Sequence, residues 1–285
     1  RPTNLLWAWL QFVSNDMILT RPGDANDTLF AGTGVPLMTR SSHVLDYNGD
    51  RQQVNFETPY LDGSHLYGVD LLSQYSKRRS DGTGKLLSVF APDLSIDDSE
   101  VPPFNTTTGL FSGVDNRINQ NPLVAALYVL FVREHNTWCD KIKVKIPGST
   151  ENEIFNIARH LVAAEIQAIT YREVVPVILG VKEIDSGICF SHTEDMNGHS
   201  DHKAWGKFTS VTSEFAAAAV RIGHSMVTDT LDIRDVETGD IISPPVPTLT
   251  QPGPYIWDNG IGPLLLGARM QQSNARDISI ANVLR

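Results

Sequence analysis

Residues 121–143 read NPLVAALYVLFVREHNTWCDKIK, and no other stretch limits the fold as strongly. Asn121 followed by Pro122 is a good cap and first-turn pair. Beyond it, apolar residues lie most of the way round a helix before charges make the segment amphipathic, as in a helix at the centre of a domain. Such a helix needs neighbours on every side, which points to a mainly α domain. The run from Leu123 to Val132 is interrupted by Tyr128 and followed by charges. It falls short of the roughly 18 apolar residues of a membrane span.

Two further helices follow from local signals. Thr150-Glu151-Asn152-Glu153 is a capping box opening IFNIARHLVAAEIQAITYRE, whose apolar residues recur at helical spacing; Pro176 and Gly180 end its continuation. Thr212 and Ser213 lead a third helix, EFAAAAVRIGHSMV. WLQFVSNDMILT, residues 9–20, reads as the end of a helix running into a polar turn. Long stretches rich in Gly, Pro, Asp, Asn and Ser lie between: Arg21 to Thr58, Ser80 to Asn119, Val181 to Val211 and Leu231 to Gly262. They are expected to be loops with short hairpins at most, and loops of this length are usually functional or flexible. The expectation is one domain over residues 1–285. The chain starts without Met and ends on an apolar stretch, DISIANVLR, so it is read as incomplete at its C-terminus.

The 285 residues, 41% hydrophobic and 20% charged, suffice for a packed core with more than one helical layer. A net charge of -10 argues against a nucleic-acid partner. Cys139 and Cys189 are too few for a disulfide framework or a zinc ribbon. The sequons Asn26-Asp27-Thr28 and Asn105-Thr106-Thr107 are compatible with an extracellular or secretory-pathway location.

Three groups of residues could carry chemistry. In TPYLDGS, Thr58, Tyr60, Asp62 and Ser64 alternate, so an extended loop would gather side-chain oxygens and a Tyr60 carbonyl suited to a hard cation such as Ca²⁺. A plain Asp-Gly turn gives the same pattern. In RIGHSMV, Arg221 and His224 stand one helical turn apart, with His224 able to ligate a metal or haem and Arg221 to bind a carboxylate. A core histidine beside a surface arginine is the ordinary alternative. His192, His199 and His202 could bind Zn²⁺ or Cu²⁺ but lie in a Gly/Asp-rich segment that reads as a solvated loop.

Taken in order, WLQFVSNDMILT, TPYLDGSHLYG, DNRINQNPLVAALYVLFVREHN, ARHLVAAEIQAITYREVVPVILG, EFAAAAVRIGHSMV and ISIANVLR resemble successive landmarks of the animal-type haem peroxidases, within the peroxidase–cyclooxygenase superfamily. The Leu-Asp-Gly-Ser run and the aromatic after His135-Asn136 are similar to the peroxidase-like domain of dual oxidases. The resemblance implies a mostly helical domain around haem b, with hydrogen peroxide and an unidentified electron donor as reactants. It places His224 as the axial ligand of the iron, Arg221 on a haem propionate, and Arg117 and Gln11 on the distal side. Asp16 with Thr58, Tyr60, Asp62 and Ser64 falls on the family's calcium site.

Asn15 stands where the family has its distal histidine, and an amide cannot carry the proton that histidine moves. Loss of a positioned acid/base costs about 10²–10⁴ in rate, although Arg117 could still stabilise developing charge. Ser14 and Gln120 stand where many vertebrate members have the carboxylates that esterify haem, so non-covalent haem is implied. The family's Asn partner for the axial His and its further propionate-binding Arg would lie beyond Arg285. The functional expectation is a haem-dependent peroxidase-type oxidoreductase weakened at Asn15. A catalytically silent module with a structural or partner-binding role is the alternative. A fatty-acid dioxygenase of the cyclooxygenase branch would carry a tyrosine where this chain has Arg221.

Overall fold

A computed structural model describes residues 2–29, 38–92, 99–181, 210–249 and 251–275. Among these residues the architecture is helical, trimmed by five two-stranded antiparallel hairpins. The helices are α1 (Asn4–Met17), α2 (Ser64–Tyr67), α3 (Leu71–Ser76), α4 (Pro122–Lys145), α5 (Glu151–Ile169), α6 (Val175–Leu179), α7 (Ser213–Ala217), α8 (Pro252–Asn259) and α9 (Gly262–Met270).

The central helix is α4. Asn121 Oδ1 accepts from Val124 N at 2.9 Å and Pro122 opens the first turn. Leu123 through Val129 are all buried. α1, α5, α8 and α9 pack around it, which is what an all-round apolar helix demands. At the α1 contact, Phe12 stacks on Phe131 with ring centroids 5.2 Å apart and meets Tyr128 edge-on at 5.5 Å.

The polar end of α4 is structural. His135 is wholly buried, and burial lowers its pKa to about 4. The ring is therefore neutral at pH 7. The Gly84 carbonyl, 3.0 Å from Nε2, can only accept, so Nε2 carries the proton and Nδ1 accepts from the Tyr67 hydroxyl at 3.1 Å. Asn136 accepts from Leu86 N and donates to Glu100, both at 2.8 Å. These bonds pin Gly84, Leu86 and Glu100 to the helix. Gly84 sits at φ +74, and a Cβ there would lie 2.9 Å from Phe155 N, so only glycine fits this crossing. Cys139, on the next turn, is buried with its thiol pushed up to about 12, which makes it a core residue rather than a reactive one.

The capping box at Thr150 and Glu153 forms as expected. Helix α5 then runs into a π turn, Thr170–Val174, before α6. Pro176 has no N–H for the Arg172 carbonyl and its ring would clash there, so the helix widens by one residue instead of breaking. Gly180 at φ +70 ends α6.

Two expectations are corrected. The third helix does not run through: α7 stops at Ala218 (φ -125), and Ala219–Met226 continues as a 3₁₀ helix. Its Ala-rich faces are mostly exposed, so little packing holds a regular α-helix there. The segment Leu231 to Gly262, expected as loop, contains α8, and α9 starts at its end.

Candidate functional site

Asn15 and Asp16 lie on the last turns of α1, not in a turn beyond it. Gln11 and Asn15, four residues apart, share one face; Asp16 points to another. The first face borders a cavity of about 210 Å³ lined by Gln11, Ser14, Asn15, Arg117, Gln120 and Arg221, with Ile18, Leu19, Thr20 and Val220 completing the wall. The expected distal residues Gln11, Asn15 and Arg117 are thus brought together with Arg221.

Each of these side chains is held differently. Gln11 Oε1 accepts from Asn121 Nδ2 at 2.6 Å and its Nε2 donates to Gln120 at 3.2 Å, tying the face of α1 to the cap of α4. Arg117 is clamped: Nε donates to Asp115 Oδ2 at 2.7 Å, Nη1 to the Ile18 carbonyl at 2.6 Å and Nη2 to the Asn15 carbonyl at 2.8 Å. Its charge therefore also serves the C-terminal end of α1, where helix carbonyls are unpaired. Asn15 is 4% exposed, and its buried amide is turned to the Tyr128 hydroxyl, with which it makes only a long, weak hydrogen bond.

Behind Arg117 lies Glu57, a carboxyl that sequence reading did not single out. Its side chain is 6% exposed, 3.6 Å from Arg117 Nη2. Burial, assisted by the nearby Asp115 carboxylate, pushes its pKa up to about 7. Nothing in the Phe-Glu-Thr local pattern marks it, because its environment comes from residues far along the chain.

The other face of α1 carries Asp16, wholly buried. Gly63 N donates to Asp16 Oδ2 at 3.1 Å, and Ser64 Oγ lies 2.7 Å from the Asp16 carbonyl and 3.1 Å from Oδ1. His65 Nδ1 stands 3.0 Å from Asp16 Oδ1. Burial alone would raise the Asp16 pKa, but the His65 ring and these hydrogen bonds together bring it below the ordinary value. Thr58 Oγ1 donates to Asp62 Oδ1 at 2.8 Å, and Ser64 N donates to the same oxygen at 3.0 Å. The loop is not extended throughout, as the alternation suggested. It turns at Gly63 (φ +75) and Ser64 begins α2. Asp16, Thr58, Asp62 and Ser64 still converge, two carboxylates and two hydroxyls with the chemistry of a hard-cation site. Tyr60, from which a backbone carbonyl was expected, lies in the same loop and is 53% exposed.

His224 and Arg221 project from the 3₁₀ segment, where residues three apart eclipse one another. His224 is exposed; what covering it has, and the Arg221 guanidinium, keep its pKa below the ordinary histidine value. A neutral imidazole is the form that ligates metal. These side chains suit haem. The spacing is tighter: a Cβ at Gly223 would meet Leu10 at 3.7 Å and Trp7 at 4.0 Å, so the segment rests directly on α1. A macrocycle between them needs about 3.5–4.0 Å of clearance on each face, which requires the segment to stand farther from α1. His192, His199 and His202, like ISIANVLR, lie outside the described residues.

Comparison with known proteins identifies the fold. The solved structure of Peroxidase A from Dictyostelium discoideum superposes with a TM-score of 0.78 at 23% identity, covering 99% of this chain and 58% of that one. A fatty acid alpha-dioxygenase from Oryza sativa gives 0.71 at 19% identity, covering 96% and 49%. These likenesses show the shared fold. Among curated proteins, Peroxidase mlt-7 of Caenorhabditis elegans is 28% identical over 93% of this chain and 39% of its own length. Dual oxidase of Drosophila melanogaster is 30% identical over 66% of this chain and 12% of its own. The chain thus spans between 12% and 58% of the length of these four proteins. The family model for animal haem peroxidase matches residues 1–285, all of the given sequence. With that match over this helical scaffold, the chain belongs to the animal haem peroxidase family.

Proposed function

We propose that the chain is a single peroxidase-type domain of a larger, extracellular haem-dependent oxidoreductase that reduces hydrogen peroxide slowly while oxidising a separate electron donor. The observation that carries this reading is the meeting of Gln11, Asn15, Arg117 and Arg221 around one cavity beside the His224 segment, in a chain of this family. Family membership implies haem, which supplies the iron at which peroxide is reduced. In the proposed arrangement His224 would ligate the haem iron and Arg221 would pair with a propionate. Arg117, fixed by Asp115, presents positive charge to the distal side, and Gln11 offers an amide there. With Ser14 and Gln120 at the positions of esterifying carboxylates, the haem b is non-covalent. Asp16, Thr58, Tyr60, Asp62 and Ser64 form a calcium site that ties the end of α1 to the loop before α2.

Titration of the purified protein with ferric haem, followed by absorption, tests the reading. A saturable Soret band that is lost or shifted in His224→Ala is expected. An identical spectrum in the variant refutes the axial assignment. A second reading is favoured by two observations: Asn15 cannot transfer a proton, and Gly223 rests on Leu10. It is a catalytically silent module with a structural or partner-binding role. That module gives no saturable Soret band.

A further inference from the structure

We propose that Asn105 is an N-glycosylation site, taking an oligosaccharide on its Nδ2 from a lipid-pyrophosphate donor. Its sequon, Asn105-Thr106-Thr107, occupies the tip of the hairpin formed by Phe104–Asn105 and Leu110–Phe111, where residues 105–108 are all exposed. The base of this hairpin is seated on α8. Phe104 stacks on Trp257 with ring centroids 4.9 Å apart, and a Cβ at Gly109 would meet Pro254 at 3.2 Å. Strand alternation turns the next residue, Asn105, the opposite way, toward solvent. Only one end of its side chain is used by the fold. Oδ1 accepts from Thr107 N at 2.9 Å and Thr108 N at 3.0 Å, an Asx turn, and the Gly109 N–H donates to the Asn105 carbonyl at 2.8 Å. Two backbone N–H groups aimed at one atom fix that atom as the amide oxygen. Nδ2 is thereby the free end, with no hydrogen bond among the described residues.

Attachment at Nδ2 therefore removes none of the bonds that hold the turn. In the transfer, Nδ2 bonds to the anomeric carbon of the donor sugar and that carbon's bond to the pyrophosphate oxygen breaks. The lipid pyrophosphate leaves with the electron pair, one amide proton is released, and Oδ1 stays an acceptor. A glycan is bulky and needs solvent around it, which the hairpin tip provides. The sequon at Asn26 is placed differently: its Asp27 is held by Arg51 at 2.6 Å, and its Thr28 is half-buried and paired with Thr39. Its second and third residues are thus engaged in the fold. The inference rests on the extracellular reading, because the lipid-linked donor meets a chain only in the secretory pathway.

The test expresses the full chain behind a supplied secretory leader in cultured eukaryotic cells and recovers it from both cells and medium. Digestion with peptide N-glycosidase in heavy-oxygen water labels each asparagine that carried a glycan. Peptide mass spectrometry should find the label on Asn105 in most molecules. Thr107→Ala, which keeps the asparagine and its turn, should lose the label, and Thr107→Ser should retain it. An unlabelled Asn105 in wild type, or equal labelling in Thr107→Ala, overturns the proposal. The full-length protein with its own leader separates the two readings. Native retention in the cytosol, with Asn105 labelled behind the supplied leader, refutes the extracellular reading alone; native secretion with a bare Asn105 refutes this one alone.

Discussion

Two buried groups titrate in opposite senses, and their opposition can be measured. His135 has a folded pKa of about 4 against 6.5 unfolded, so between those values the unfolded chain takes a proton that the native ring refuses. Acidification from pH 7 therefore removes stability, about 3 kcal/mol in full at 1.36 kcal/mol per pH unit. Glu57 has a folded pKa of about 7 against 4.5 unfolded, so across that window the native carboxyl holds a proton that the unfolded chain releases. Acidification there adds stability, again about 3 kcal/mol in full. Between about pH 4.5 and 6.5 the two slopes nearly cancel. Each substitution should expose the other group. His135→Gln keeps a donor for Gly84 O and an acceptor for Tyr67, so it should fold, and its stability relative to wild type should rise as pH falls. Glu57→Gln should show the reverse. Urea denaturation of the three proteins from about pH 7.5 to 4.5 reads both slopes. Parallel pH profiles for wild type and both variants would refute the assigned burial of these groups.

Gly84→Ala forces a side chain into left-handed backbone against Phe155 N, and a loss of about 1–3 kcal/mol is expected from the conformation alone; a wild-type urea midpoint would contradict the described crossing. If the Asp16, Thr58, Tyr60, Asp62 and Ser64 cluster holds calcium, a chelator should lower the melting temperature by mass action, and Asp62→Ala should abolish that response. A melting curve indifferent to chelator would sink the calcium assignment.

Much of the scaffold was legible because its signals are local. Asn121-Pro122 and the Thr150–Glu153 box act within one helical turn, and both form as the sequence implies. Residues 252–259 misled for a related reason: Pro252, Gly253 and Pro254 look like loop punctuation. Pro252 in fact opens α8 at its first position, where a missing N–H costs nothing. The Ala-rich segment before His224 has strong helix formers but little covered surface, so propensity alone did not set its geometry. The candidate site was legible as residue types in a family pattern and not as geometry. The meeting of Asp16 with Ser64, 48 residues on, depends on the Gly63 turn, and the burial of Glu57 on Asp115 and Arg117 from a distant loop.

The central claim is a peroxidase-type site in which Asn15 stands in place of the proton carrier, and stopped-flow mixing of haem-loaded protein with hydrogen peroxide tests it most directly. Wild type should give a spectral change slower by roughly 10²–10⁴ than a site with a positioned acid/base. Asn15→His should accelerate that change at least tenfold and give it a pH dependence near the histidine pKa of about 6.5. A wild type that reacts as fast as a peroxidase with its distal histidine, or an Asn15→His variant with unchanged rate at every pH, would contradict the account.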